Sequence, residues 1–166
     1  MNINPGTLLI SKPSLEDENF EQSVVFITEC NNNGATGFVI NNPFPRTLNA
    51  LVEFKHALPF KLYDGGPVEK EHLFFIHQRP DLITGSTLIL GNIYFGGDFK
   101  QAVQHINQKN ILANDIKIFV GYCGWDDEQL QEEIAEGSWL PVDGHAQTIF
   151  STNTVLLWKE LYATNG

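Results

Sequence analysis

Short apolar stretches punctuated by turn residues dominate this chain, and most of them alternate with the period of a strand rather than that of a helix. Thr7–Ser11 reads as a first strand closed by Pro13, and Ser14 with Asp17 resembles a capping box for one short helical turn. Ser23–Glu29 (SVVFITE) is rich in β-branched and aromatic residues, and Ala35–Asn41 (ATGFVIN) is its expected hairpin partner. The intervening Cys30-Asn31-Asn32-Asn33-Gly34 holds an Asn-Gly step suited to the positive φ of a tight turn. Asn42-Pro43-Phe44-Pro45 breaks the pattern. Thr47 then caps a predicted helix through Phe54, with Leu48, Leu51 and Val52 on one face.

Phe60–Tyr63 and Leu73–His77 read as strands around the turn Asp64-Gly65-Gly66-Pro67, and Thr87–Leu90 and Ile93–Phe95 as a hairpin closed by Gly91-Asn92. Asp98 and Gln101 form a second capping-box pattern. Phe99, Ala102, Val103 and Ile106 follow at i, i+3, i+4 and i+7, the spacing of a half-buried helix. Ile116–Tyr122 (IKIFVGY) is a strand. Asp126 with Gln129 caps a predicted helix from Asp127 to Glu136 that Gly137 terminates, and a last helix is expected from Asn153 to Tyr162. Strands outnumber helices and hairpins dominate the first half. The expected class is therefore α+β (mixed α/β), one domain over residues 1–166, with helices packed on a mostly antiparallel or mixed sheet.

Composition narrows the function. Apolar residues make up 42% of the 166 positions, enough for a continuous core without metal or disulfide staples, and charged residues only 18%. Acids outnumber bases 20 to 10, a formal charge of −10, and the basic residues lie singly along the chain. Such a body is repelled by phosphate backbones and by anionic lipid surfaces, so neither direct nucleic-acid binding nor membrane association is expected. The apolar runs LLI, VVFI, LFFI and LIL are far shorter than a membrane span, and Met1-Asn2-Ile3-Asn4-Pro5 does not resemble a secretory leader. With Cys30 and Cys123 far apart, a cytoplasmic location is expected.

Recognisable catalytic patterns are missing: no G-x-S-x-G, no phosphate-cradling G-x-x-x-x-G-K, no G-x-G-x-x-G, no H-E-x-x-H and no C-x-x-C. No catalytic residue, metal site or cofactor is therefore assigned. His77 ends an apolar strand and reads as a core-edge histidine bonded to backbone, with a cleft-rim acid/base or ligand role as the alternative. Cys123 sits before a helix start, yet Asp126, Asp127 and Glu128 oppose thiolate formation there, so a buried inert thiol is expected, and Cys30 is read the same way. Glu128, Glu132, Glu133 and Glu136 form a solvated acidic face or a contact for a basic partner. Trp125 and Trp139 flank that helix and either staple it to the sheet, the preferred reading, or line a groove.

The run Gly6-Thr7-Leu8-Leu9-Ile10-Ser11-Lys12-Pro13-Ser14-Leu15, with Asn19-Phe20 and Ser23-Val24-Val25, resembles the opening of the AlgH/YqgE family. So do Gly34–Pro43, Gly65-Gly66-Pro67-Val68, Ile76-His77, and Gly121-Tyr122-Cys123-Gly124-Trp125 followed by Gln129-Leu130, Glu133 and Trp139. The matches span residues 5–141 in order. The resemblance implies a bacterial protein with a compact α/β fold, of a kind usually labelled uncharacterised or proposed to regulate transcription, and it transfers no catalytic residue. Relatives commonly carry a small residue, Gly or Pro before the Gln-Leu pair. Asp126-Asp127-Glu128 here argues against anion binding at that helix terminus. The leading expectation is a non-enzymatic regulatory or protein-interaction protein whose partner has a basic surface. The alternative is a small-ligand binder or weak hydrolase whose site gathers Ser14, Asn41, Gly65, Gly66, His77, Gly124 and Trp125.

Overall fold

In the computed structural model, which describes residues 3–15 and 20–166, ten strands form one sheet of mixed direction. The strands are β1 (Thr7–Ser11), β2 (Val24–Asn31), β3 (Gly34–Val39), β4 (Pro43–Thr47), β5 (Lys61–Asp64), β6 (Val68–His77), β7 (Thr87–Leu90), β8 (Ile93–Phe95), β9 (Ile116–Trp125) and β10 (Trp139–Asp143). The main order is β10-β1-β2-β3-β9-β6-β8-β7. β5 adds to β9 as the parallel neighbour, and β4 pairs with β5. The helices are α1 (Phe99–Asn107), α2 (Gln129–Ala135), α3 (Ala146–Ile149) and α4 (Leu157–Asn165).

Alternation along the strands divides the core into three. Leu8, Val24, Phe26, Phe38, Ile40 and Phe119 share one face, the concave side of a sheet curled into a half-barrel, so that Leu90 of β7 lies against Gly6 at the start of β1. Ile149, Phe150 and Leu157 of the C-terminal helices fill that concavity, and the Trp158 indole donates to Ser11 O at 2.7 Å. The opposite face is covered in two places. Leu130 of α2 packs on Leu9, Val25, Ile27, Trp125 and Trp139. Ala102 and Ile106 of α1 pack on Leu62, Phe75, Ile116 and Ile118.

Most expected elements are present. Asp98 caps α1 by accepting from Gln101 N at 3.1 Å, whereas the Gln101 side chain turns to Thr84 rather than completing the box. Gly34 follows the Asn32-Asn33 turn with φ of +129°, and a Cβ there would collide with the Trp125 carbonyl. Four expectations need correction. The segment expected as a helix from Thr47 to Phe54 is two separate 3-10 turns, Leu48–Ala50 and Val52–Phe54, broken by an extended Leu51. Leu48, Leu51 and Phe54 recur every third residue, so the three-residue turn points them at the core while Val52 is 86% exposed. Thr47 bonds to the Asn49 side chain and caps nothing, and the proline-rich break before it is strand β4. The helix expected from Asp127 begins at Gln129, after Glu128 in a left-handed conformation, with Gln129 Oε1 accepting from Asp126 N. The last helix starts at Leu157, and β10 and α3 precede it. The capping pair Ser14/Asp17 cannot be compared as a unit: Asp17 lies outside the described residues, and Ser14 Oγ donates to Gly137 O.

Candidate functional site

Gly65 and Gly66 cross β9 backbone to backbone. Gly65 N donates to Val120 O, and Gly65 O accepts from Val39 N, both at 2.9 Å. A Cβ on Gly66 would sit closer than 3.0 Å to backbone atoms of Tyr122 and Cys123, and one on Gly121 would collide with Gly66 O. These glycines allow two chain segments to touch, and they leave no room there for a ligand. Cys123 is buried beside them with its thiol 3.3 Å from Gly65 O. Cys30 is half-buried, and burial pushes its thiol above the ordinary cysteine range, away from reactivity.

His77 lies at the opposite end of the β6–β9 ladder, opposite Ile116, about 26 Å along β9 from Gly124. Its ring is fully buried. Nδ1 accepts from the Arg79 N–H at 3.0 Å, which puts the proton on Nε2, 2.8 Å from Ser86 Oγ and 3.1 Å from Gly96 O. Burial holds its pKa below that of a free histidine, so the ring is neutral and ties β6 to the loops around β7 and β8. Asn41 fastens the start of β2, accepting from Val24 N and donating to Gln22 O. The seven sequence-predicted residues therefore do not meet in one cavity. Gly124 and Trp125 alone line a shallow polar groove of about 460 Å³, with Asn31, Asn33, Thr36 and Tyr122.

The two tryptophans act as a staple, through a residue the sequence reading left in the acidic face. Glu133 Oε1 accepts from Trp125 Nε1 at 3.2 Å and from Trp139 Nε1 at 3.0 Å, while Oε2 accepts from Gln129 Nε2 at 3.0 Å. The indoles meet edge to face at 6.1 Å, and the ring of Phe20 packs on both. One carboxylate thus joins α2 to β9 and β10. Glu133→Ala leaves two buried indole N–H groups without a partner and is expected to cost about 2–3 kcal/mol in a urea titration, with Glu133→Gln, which keeps an acceptor oxygen, losing less. Equal stability of wild type and Glu133→Ala would remove this role.

Sequence reasoning missed the larger cavity. A half-open groove of about 810 Å³ lies on the convex face, where α1 and the 3-10 turns leave the sheet incompletely covered. Leu73 and Val120, cross-strand neighbours, form its floor with Phe75, and Leu51, Phe54 and Phe99 form its walls. Its volume lies toward the upper end of ligand-sized cavities. The three-residue apolar period from Leu48 to Phe54 was the signal that could have located it. Among the described residues, no group of three or more His, Cys, Asp or Glu is arranged to hold a metal ion, and no helix is long and apolar enough to cross a membrane.

Charge is unevenly spread. From Ile118 to Trp158 there are seven acids (Asp126, Asp127, Glu128, Glu132, Glu133, Glu136 and Asp143) and no Lys or Arg. All but Glu133 are exposed, and five of the six cluster at α2 and its start.

The fold and the sequence have close counterparts. The solution structure of AlgH from Pseudomonas aeruginosa matches 97% of this chain and 87% of its own with a TM-score of 0.77 at 28% identity. A crystal structure of a Corynebacterium diphtheriae protein matches all of this chain and 89% of its own with a TM-score of 0.82 at 19% identity. In sequence, a UPF0301 protein of Cytophaga hutchinsonii is 33% identical over 99% of this chain and 91% of its own, and one of Bacteroides fragilis is 35% identical over 99% and 85%. The profile described as AlgH-like covers residues 8–166. The chain belongs to the AlgH-like family.

Proposed function

We propose that this protein is a non-enzymatic interaction protein that engages a partner with a basic surface. The observation that carries this reading is the local excess of acid at α2: exposed Asp126, Asp127, Glu128, Glu132 and Glu136 with no nearby cation in sequence from Ile118 to Trp158. Such a lobe accelerates encounter with a cationic surface and repels phosphate backbones. Regulation of transcription, if this protein exerts it, then runs through a protein rather than through direct contact with DNA. The use of His77, Cys123 and Glu133 in internal bonding supports the same reading, because the side chains best suited to chemistry are engaged within the fold.

The test replaces Glu128, Glu132 and Glu136 by Gln together. These residues are exposed and carry none of the staple bonds, so the fold is retained. Proteins from a lysate captured by the immobilised wild type at low salt are expected to elute at high salt, and capture by the triple variant to drop several-fold. Capture that is insensitive both to salt and to the three substitutions is the result that would sink the reading.

A further inference from the structure

We propose that α3 and α4 form a lid over the concave face of the half-barrel, latched through Lys117 and released when that buried amine takes up a proton. The device lies in the fold itself and does not depend on what the acidic surface at α2 engages.

Helices α3 and α4 fill the concavity with Ile149, Phe150 and Leu157, yet little besides apolar contact fastens them. They belong to no strand ladder, and among the described residues no backbone-to-backbone hydrogen bond joins residues 145–166 to the rest of the chain. Two side-chain bonds do so. The Trp158 indole donates to Ser11 O at 2.7 Å, and Lys117 Nζ donates to Ser151 O at 3.1 Å, in the connection between α3 and α4. The pair of helices can therefore swing out without breaking a strand pairing, as a segment that opens separately from the strands beneath it.

Lys117 is a latch that responds to charge. Its amine reaches across the concavity to Ile40 O, just after β3, and to Ser151 O, so one side chain of β9 joins the sheet to the lid. A neutral amine has two N–H groups, one for each carbonyl, and holds both without a charge. The surroundings disfavour that charge. The side chain is 2% exposed, its cross-strand neighbour in β6 is Ile76, and among the described residues no carboxylate pairs with it. The face of Tyr63 on β5 lies 4.3 Å from Nζ and favours a cation, but burial outweighs it and Lys61 on the same strand adds repulsion. Together they bring the amine to a pKa of about 7. The Tyr63 phenol is itself pushed upward by burial and stays neutral in this range.

Swinging the lid out removes Ser151 O and admits water to the amine, whose pKa then returns toward about 10.4. The open state binds the proton more tightly, so lowering the pH toward 7 favours opening. Below 7 both states are protonated and the effect levels off.

Hydrogen exchange of the isotope-labelled full chain, corrected for the intrinsic dependence of exchange on pH, reads the opening. The Phe150 amide and the Trp158 indole N–H report on the lid, and the Phe26 and Phe119 amides on the sheet. The lid is expected to open at least roughly tenfold more often than the sheet, and its opening to rise about 20-fold between about pH 8.5 and about pH 6.5. Lys117→Met is expected to abolish that rise. Asp143 and His145 lie exposed at the base of the lid, so a full rise that persists in Lys117→Met would assign the effect to them and overturn the latch. Trp158→Phe removes the other tether. It should raise opening several-fold at every pH and keep the pH dependence, which decides the matter even if Lys117→Met does not fold. Exchange at Phe150 and Trp158 no faster than at Phe26 and Phe119, or an opening that ignores pH in the wild type, would also overturn the proposal.

Discussion

Raising the pH from about 7.5 to about 9.5 should relieve about 2–3 kcal/mol of destabilisation that one buried amine imposes on this protein, close to the limit of 1.4 kcal/mol per pH unit that one titrating group can supply. The group is Lys117, the second residue of β9. The strand alternation points it into the half-barrel beside Phe119, where it is 2% exposed. Its ammonium donates to Ile40 O at 3.0 Å and Ser151 O at 3.1 Å and lies 4.3 Å from the centre of the Tyr63 ring. Burial, with a smaller contribution from Lys61, pushes its pKa down to about 7. In the unfolded chain it returns to about 10.4. Between those values the unfolded state binds the extra proton, so stability rises with pH across the window, falls as pH is lowered from the unfolded value toward 7, and levels off below 7. Cys30 acts oppositely above about pH 8.5, because its thiol is pushed upward by burial. The comparison that isolates the lysine is therefore wild type against Lys117→Met, both with Cys30 present. Urea titrations at several pH values are expected to show the slope in wild type and its loss in Lys117→Met. The methionine leaves two carbonyls without their donor, which lowers stability by the same amount at every pH and does not affect the slope. A slope equal in the two proteins, or absent from wild type, would show that the amine is not held as described.

That lysine shows what was and was not legible beforehand. The run Ile116-Lys117-Ile118-Phe119 declares a strand, and period two already puts Lys117 on the side of Phe119. What the run cannot declare is that Phe119 faces a filled concavity. That depends on α3 and α4 returning from the far end of the chain to close the half-barrel. The β2–β3 and β7–β8 hairpins were legible because each turn, with its Gly34 or Gly91, lies within a few residues of both strands. Strand β10 was not, since its ladder partner among the described residues is β1, more than a hundred residues away, and Pro141 within it reads as a break. Glu133 fell among its acidic neighbours because an i, i+4 pattern reports one helix face. It does not report that two tryptophans from β9 and β10 converge on that face. The 3-10 turns were misread for a simpler reason. Periods of 3.0 and 3.6 hardly separate over seven residues, and the exposed Val52 was the residue that distinguished them. The groove combines β4, both turns, β6, α1 and β9, so no local window contains it.

Gly66 and Gly124 stood together as candidate ligand contacts, and replacing each with alanine separates close chain packing from binding. Gly66→Ala is expected to destabilise the protein by about 3 kcal/mol or more, the cost of forcing a methyl group into filled space. The new Cβ would meet backbone atoms of Tyr122 and Cys123, and backbone within a sheet cannot move aside as a flexible side chain does. The residue also has φ of +155°, outside the range L side chains favour. At this chain length the loss corresponds to a fall in Tm of roughly 6–12 °C. Gly124→Ala is the matched control, a glycine of β9 just beyond the crossing. Its Cβ would find the Tyr122 ring at 3.5 Å, an ordinary contact, so its Tm should stay within about 2 °C of wild type. If Gly66 were instead kept small to admit a ligand, the alanine would fit, Tm would hold, and only binding would suffer. A Gly66→Ala protein as stable as Gly124→Ala would therefore remove the close crossing as the reason for this glycine and return Gly66 to the candidate binding residues.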